Sequence, residues 1–224
     1  MTDAPIISVI MPAHDEERYI ARAIRSVLNQ TFAGNRFEVI VVDDASVDRT
    51  GFVAGLFGES VRLMRNPQQM GLPASLNRGI KSAKGKYVIR VDADDYVSSD
   101  YLYILNRFLE DNTDFDAVAC DYFLVDEHEN IIARRNCLEE PIGCGIMFRI
   151  EQLIGIGLYD PDFRLLEDED LRIRFLKRHS IIRISLPLYR YRRHVGNMSS
   201  DQGARKTYRA RLHAKHERQG KAKR

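Results

Sequence analysis

The 224-residue chain has no tryptophan, three cysteines and no apolar run near the length of a membrane span. Cys120, Cys137 and Cys144 are odd in number and form no CxxC pair, so neither a disulfide framework nor a zinc cluster is expected. A reducing, cytoplasmic setting is the default that follows. Crossing a bilayer takes about 18 apolar residues or more. The N-terminal run Ile6–Met11 stops at Pro12 and is preceded by Asp3, so a signal peptide is not expected either. The absence of a GxGxxG or Walker pattern disfavours nicotinamide enzymes and P-loop kinases.

Charge is unevenly spread. Residues 203–224 hold nine Lys and Arg against Glu217 alone, a net +8, which leaves −6 for the remainder of a chain totalling +2. An acidic body with a basic tail is expected to meet an anionic membrane surface through that tail, peripherally and reversibly, with nucleic acid not an expected partner. At 44% hydrophobic content one full domain is expected over 1–202, with 203–224 as the tail. Within it, 1–95 reads as one half and 96–202 as another.

The first half alternates strand and helix. Ile6–Met11 suits a strand buried on both faces; Tyr19/Ile20, Ala23/Ile24 and Val27/Leu28 repeat at helical spacing, with Asp15, Glu16 and Glu17 placed to favour the helix start. Val39–Val42, Val61–Met64 and Tyr87–Val91 read as further strands, and Leu72–Ala83 as a helix closed by Gly85. Such alternation predicts an α/β fold with a doubly wound parallel sheet. The second half is mixed. A helix is expected at Tyr101–Leu109, strands at Ala117–Cys120, Ile131–Ala133, Ile181–Ile184 and Leu188–Tyr191, and a short helix at Leu171–Phe175.

Polar clusters sit at strand ends: Pro12–Glu17, Asp43-Asp44-Ala45-Ser46 and Asp92-Ala93-Asp94-Asp95. In open α/β sheets ligands bind beyond the carboxyl ends of the strands. A strand-end Asp also caps helices and makes turns, which is the plain structural alternative for any one cluster. Carboxylates packed as in 92–95 repel unless a cation relieves them, which points to a divalent metal, Mg²⁺ or Mn²⁺.

These clusters, with Asn66-Pro67, Gly71, Asn77, Gly85-Lys86-Tyr87 and Glu167-Asp168 followed by Leu171 and Arg174, resemble family 2 glycosyltransferases over residues 6 to 200. The resemblance implies a GT-A fold: a Rossmann-like, mostly parallel sheet flanked by helices, with a nucleotide-binding half (1–95) and a mixed acceptor-side half (96–202). It implies sugar transfer from a nucleoside diphosphate, UDP by first choice, to a glycan or lipid-linked hydroxyl. Asp44 would accept from the base edge, with Pro12 and Ala13 lining the base pocket and Asp43 orienting the loop. Asp92 would face the ribose and Asp94 the metal, Asp95 taking that role in a shifted alignment. Asp168 would be the base of an inverting displacement, helped near neutral pH by the negative charge of Glu167, Glu169 and Asp170.

Gly143–Arg149 resembles the family's acceptor-side strand, Gly145 included. Tyr189–His194, before Asn197-Met198-Ser199, resembles the loop over the diphosphate. There Arg192 or Arg193 would meet phosphate oxygens and His194 the metal or phosphate. His14, His128, His179, His213 and His216 are assigned no chemistry. Three alternatives stand beside this reading. A polyprenyl-phosphate acceptor would need no base, a nucleotidyltransferase would bring a basic Gly-rich loop where His14–Glu17 is acidic, and a binding module would need no Asp168.

Overall fold

The computed structural model describes residues 4–32, 36–194 and 202–221, with the side chains of 202, 204 and 218–221 left aside. Asn197-Met198-Ser199, Lys223 and Arg224 therefore lie outside the described residues. The elements in chain order are β1 (Ile7–Ala13), α1 (Ile20–Leu28), β2 (Phe37–Asp43), α2 (Thr50–Gly55), a 3-10 turn, β3 (Arg62–Arg65), α3 (Leu72–Ser82) and β4 (Tyr87–Arg90). The second half adds β5 (Tyr96–Val97), α4 (Tyr101–Asp111), β6 (Ala117–Val125), β7 (Ile131–Arg135), β8 (Ile146–Arg149), α5 (Ile150–Gly155), α6 (Glu167–Phe175), β9 (Ile181–Arg192) and α7 (Gln202–Lys221).

One sheet joins all the strands in the order β3-β2-β1-β4-β8-β6-β9-β5, with β7 beside β6. The β3-β2-β1-β4 half is parallel, as alternation with helices requires, and antiparallel β8 begins the mixed half. Because β1 is sandwiched on both sides, its side chains divide between two cores. Ile7, Val9 and Met11 pack with α1 and α4 on one face, while Ile10 packs with Leu76 and Ile80 of α3 and with Leu171 and Phe175 of α6 on the other. Both faces being apolar, the strand reads as a hydrophobic run interrupted only by Ser8.

Strand β1 runs past the expected stop at Pro12. Ile10 accepts from Val91 on the β4 side and Ala13 from Asp44 on the β2 side, so even positions face β4. Pairing with β4 has ended at Ile10–Arg90. The N–H that Pro12 lacks would thus point where no strand remains to receive it. Gly85 does not cap α3. It permits close approach to β1, since a Cβ there would lie 2.6 Å from the Ser8 nitrogen.

Asp15, Glu16 and Glu17 do not start α1, whose N-cap Tyr19 makes no side-chain cap bond. Their groups reach across some thirty residues to the loop after β2 instead. Asp15 Oδ1 accepts from Val47 N at 2.8 Å, Glu17 Oε2 from Arg49 N at 2.9 Å, and Glu16 N donates to Thr50 Oγ1 at 2.7 Å. The two strand-end loops are thereby laced into one ledge.

Strand β9 is a single element where two pieces were expected, with a register irregularity against β6 near Asp121. Residues 202–221 form α7, whose Arg209, Lys215 and His216 dock on α6 and the loop before it. Among the described residues no helix is long and apolar enough to cross a membrane.

Candidate active site

A cavity of about 440 Å³ opens where the ends of β1, β2 and β4 meet the loop that leads into α6. Pro12, Ala13, Asp44, Asp92, Asp94 and Asp168 all line it, so the structure brings these expected site residues together. Asp44 is buried and heavily served. Its Oδ1 accepts from Asn66 Nδ2 at 2.6 Å and Met70 N at 2.8 Å, and its Oδ2 from Gly71 N at 2.7 Å. Burial raises its pKa, but these bonds outweigh that and hold it below the ordinary value. The carboxylate stays ionised, with an acceptor site left on Oδ2. Asp43 orients the loop as expected, accepting from Ser46 N at 2.9 Å. His14, to which sequence assigned nothing, lies 2.9 Å from the Asp44 carbonyl and also lines the cavity.

The turn after β4 separates its carboxylates. Asp94 points into the cavity, with Oδ2 3.0 Å from His194 Nε2. Glu16 completes the group: ligand atoms of Glu16, Asp94 and His194 lie within 4.8 Å of one another. Burial and the neighbouring Asp94 push Glu16 up to about 8, and a hydrogen bond to Asp94 raises His194. Such crowding of two carboxylates and an imidazole is relieved by a bound cation, so these residues fit a divalent metal.

Asp95 does not join this group. It is 1% exposed, with Oδ2 accepting from Tyr189 Oη at 2.7 Å and Oδ1 from Arg192 N at 2.7 Å. Burial, then Asp94 and Asp92, hold its pKa well above the usual carboxylate range. It stands with Asp92 and buried Cys144, away from His194.

Arg192 also differs from expectation. Along β9 the side chains alternate, so Tyr191 lines the cavity and Arg192 faces away. The Arg192 guanidinium is buried over Tyr19 and Tyr96 and donates to the Asp94 carbonyl at 2.8 Å, bracing the turn that carries Asp94. Arg193 is exposed, with its N–H on the Val125 carbonyl. Gly145 adopts φ +77°, but Gly143 makes the closer approach: a Cβ there would meet Arg90 Nη1 and Asp168 Cβ, each at 2.8 Å.

On the other wall, Leu166 at φ +61° turns the chain into α6, a left-handed conformation costly for a branched side chain. This turn presents Glu167 and Asp168 to the cavity. Half-buried Arg90 ties Asp92 to Glu167 across the cavity. It donates to Asp92 Oδ1 at 2.5 Å and Oδ2 at 2.9 Å, and to Glu167 Oε1 at 3.0 Å. Burial and Asp168 push Glu167 up to about 7 against the pull of Arg90. Sequence reasoning missed Arg90 and Glu16. An arginine inside the apolar strand Tyr87–Val91 is a readable signal, whereas Glu16 was masked by its resemblance to a helix-start acid.

Residues 8–174 match the model of the family described as Glycosyl transferase family 2. The chain belongs to that family. Among curated family relatives, an uncharacterized glycosyltransferase EpsJ of Bacillus subtilis is 36% identical over 53% of this chain and 34% of its own length. An uncharacterized glycosyltransferase of Rickettsia typhi is 29% identical over 80% of this chain and 61% of its own. The chain therefore spans from about a third to three fifths of these relatives. Among solved structures, a mannosyltransferase from Pyrobaculum calidifontis, in complex with GDP-Man and Mn²⁺, aligns over 97% of this chain and 65% of its own at TM-score 0.76 and 20% identity. S. aureus TarS in complex with UDP-GlcNAc aligns over 87% of this chain and 60% of its own at TM-score 0.75 and 23% identity. These likenesses establish the fold of this family 2 chain as GT-A.

Proposed function

We propose that the chain is an inverting glycosyltransferase that moves a sugar from a nucleoside diphosphate sugar, UDP-linked by first choice, to a hydroxyl of a glycan or lipid-linked acceptor. The observation that carries this is a single cavity facing an ionised Asp44, the Glu16–Asp94–His194 group and Asp168. The vacant acceptor site on Asp44 suits the imide N–H of uracil, with Pro12 and Ala13 against the base. Asp92, clamped by Arg90, presents its carboxylate to the ribose. The cavity wall holds the acids Asp44, Asp92, Asp94, Asp168 and Glu169, together with the raised Glu16 and Glu167, against the cations Arg90 and Arg205, so a diphosphate needs positive charge brought with it.

Glu16, Asp94 and His194 would hold a divalent cation, which would supply that charge to a departing diphosphate. The imidazole in this set favours Mn²⁺ over Mg²⁺. Asp168, which lines the same cavity as Asp94, would take the acceptor proton as the hydroxyl attacks the anomeric carbon from the face away from the leaving group. A base in that place supports a hydroxyl acceptor over a polyprenyl phosphate. The acidic His14–Glu17 loop supports sugar transfer over nucleotidyl transfer.

The proposal extends to place. A cytoplasmic enzyme would rest on the inner face of the membrane through the basic residues of 203–224. Arg209, Arg211 and Lys215 pair with carboxylates of the body, so membrane contact falls to the remaining cations or competes with these pairs. A panel of nucleotide sugars, assayed with Mn²⁺ for release of UDP, GDP or dTDP, tests the function. Release of none, with or without a mixed glycan acceptor pool, refutes it.

A further inference from the structure

Helix α7 carries one stripe of residues, Tyr208, Leu212, Lys215 and His216, at helical spacing. Leu212 is buried, and the Tyr208 ring lies 6.4 Å from that of Phe163. Lys215 Nζ donates to Asp160 Oδ2 at 2.7 Å and to Asp170 Oδ1 at 2.6 Å, and it sits 4.8 Å from the Phe163 ring. His216 Nε2 is 2.9 Å from the same Asp170 oxygen. Arg209 reaches Glu169 at 3.2 Å and Arg211 reaches Asp162 at 3.4 Å.

These contacts fall between residues 160 and 170, the segment that frames Asp168. Asp170 is fully buried, and a charge so placed is tolerated only with partners. Arg174 supplies one of them at 2.8 Å and also holds the carbonyls of Ile156 and Leu158. The others come from α7. Of the four acids in the first turn of α6, α7 thus engages Glu169 and Asp170, while Asp168 faces the cavity. One turn before the stripe, Arg205 lines the cavity itself.

We propose that α7 is part of the active site: Lys215 is a positioning residue that ties Asp160 to Asp170 and so fixes the turn presenting Asp168. The proposal rests on the reading of Asp168 as the base. Loss of the tie lets that turn shift, and a displacement of about 1 Å in a reacting group costs up to roughly a hundredfold in rate. Lys215, unlike Arg205, does not line the cavity, so donor binding through Asp44 and Asp94 is expected not to depend on it.

The test uses the full chain. Lys215→Ala is expected to lower kcat roughly ten- to a hundredfold, leave the affinity for UDP with Mn²⁺ unchanged by calorimetry, and speed amide exchange over residues 160–170. Lys215→Arg, able to bridge the same two carboxylates, is expected to restore most of the rate. Asp160→Asn, changed at the more exposed partner, is expected to act in the same direction and serves if Lys215→Ala does not fold. Wild-type kcat and exchange in both variants overturn the proposal, as does equal loss of UDP affinity and kcat. Full turnover by Asp168→Asn, run alongside, refutes the base assignment instead; faster exchange in Lys215→Ala would still support the tie.

Discussion

Replacing Glu167 with glutamine isolates one carboxyl that burial has moved from its ordinary 4.5 to about 7. A carboxyl raised in the folded state binds more protons there than in the unfolded chain between those values. Stability therefore falls as pH rises through that window, the reverse of the behaviour of an ordinary paired carboxylate. The gap from 4.5 to about 7, at about 1.4 kcal/mol per pH unit, amounts to about 3 kcal/mol. Glutamine keeps the shape and an acceptor oxygen for Arg90 but cannot ionise. At pH 4.5 the variant and wild type should differ only by the change of hydrogen bond. By pH 8 the variant should have gained about 3 kcal/mol relative to wild type. Denaturant unfolding of both proteins at half-unit steps from pH 4.5 to 8 measures the difference directly. A difference that stays constant across the series would refute the assignment of the raised proton affinity to Glu167.

Asp94→Asn and Glu16→Gln should each weaken Mn²⁺ binding at least tenfold by calorimetry, and Asp94→Asn should abolish metal-stimulated release of nucleoside diphosphate; undiminished activity in EDTA would contradict both. Asp168→Asn should keep UDP affinity while losing turnover by about 10²-fold or more, and NMR of the product should show inverted anomeric configuration. The full chain should sediment with anionic phosphatidylserine vesicles at low salt and release at high salt, more weakly than nine free cations would; charge-neutral vesicles should bring down none of it.

The donor side of the cavity was legible because parallel strands buried on both faces advertise themselves. Val39–Val42 and Tyr87–Ile89 are apolar without interruption and Ile7–Met11 is broken only by Ser8, so the acids that follow each strand stood out as a set. The lacing of Asp15 and Glu17 to Val47 and Arg49 was not legible, since its partners lie some thirty residues away and local preference offered helix capping instead. Asp92, Asp94 and Asp95 look alike in sequence. Only the turn decides that Asp94 faces His194 while Asp95 is buried against Tyr189. Arg192 was misjudged for a simpler reason: a single step along β9 exchanges the cavity for the interior, and composition does not state the phase. The order of α7 escaped notice because cations that look solvated in sequence find Asp160, Asp162 and Asp170 in space. His216, assigned no chemistry from the sequence, is half-buried beside Asp170 for the same reason.

The donors around Asp44 have a consequence for the thermodynamics of recognition. Asn66, Met70 and Gly71 hold the carboxylate in one orientation through bonds within the chain itself. On the proposed reading, a base arriving at Oδ2 would meet a receptor whose rotamer and loop entropy were surrendered when the chain folded, so little ordering would remain to offset the new contacts. This end of the donor should associate as into a rigid mould, its selectivity set by hydrogen-bond polarity at a fixed point and not by loop closure. Discrimination between nucleobases then becomes a static property of the fold, separable from whatever motion the sugar and acceptor require.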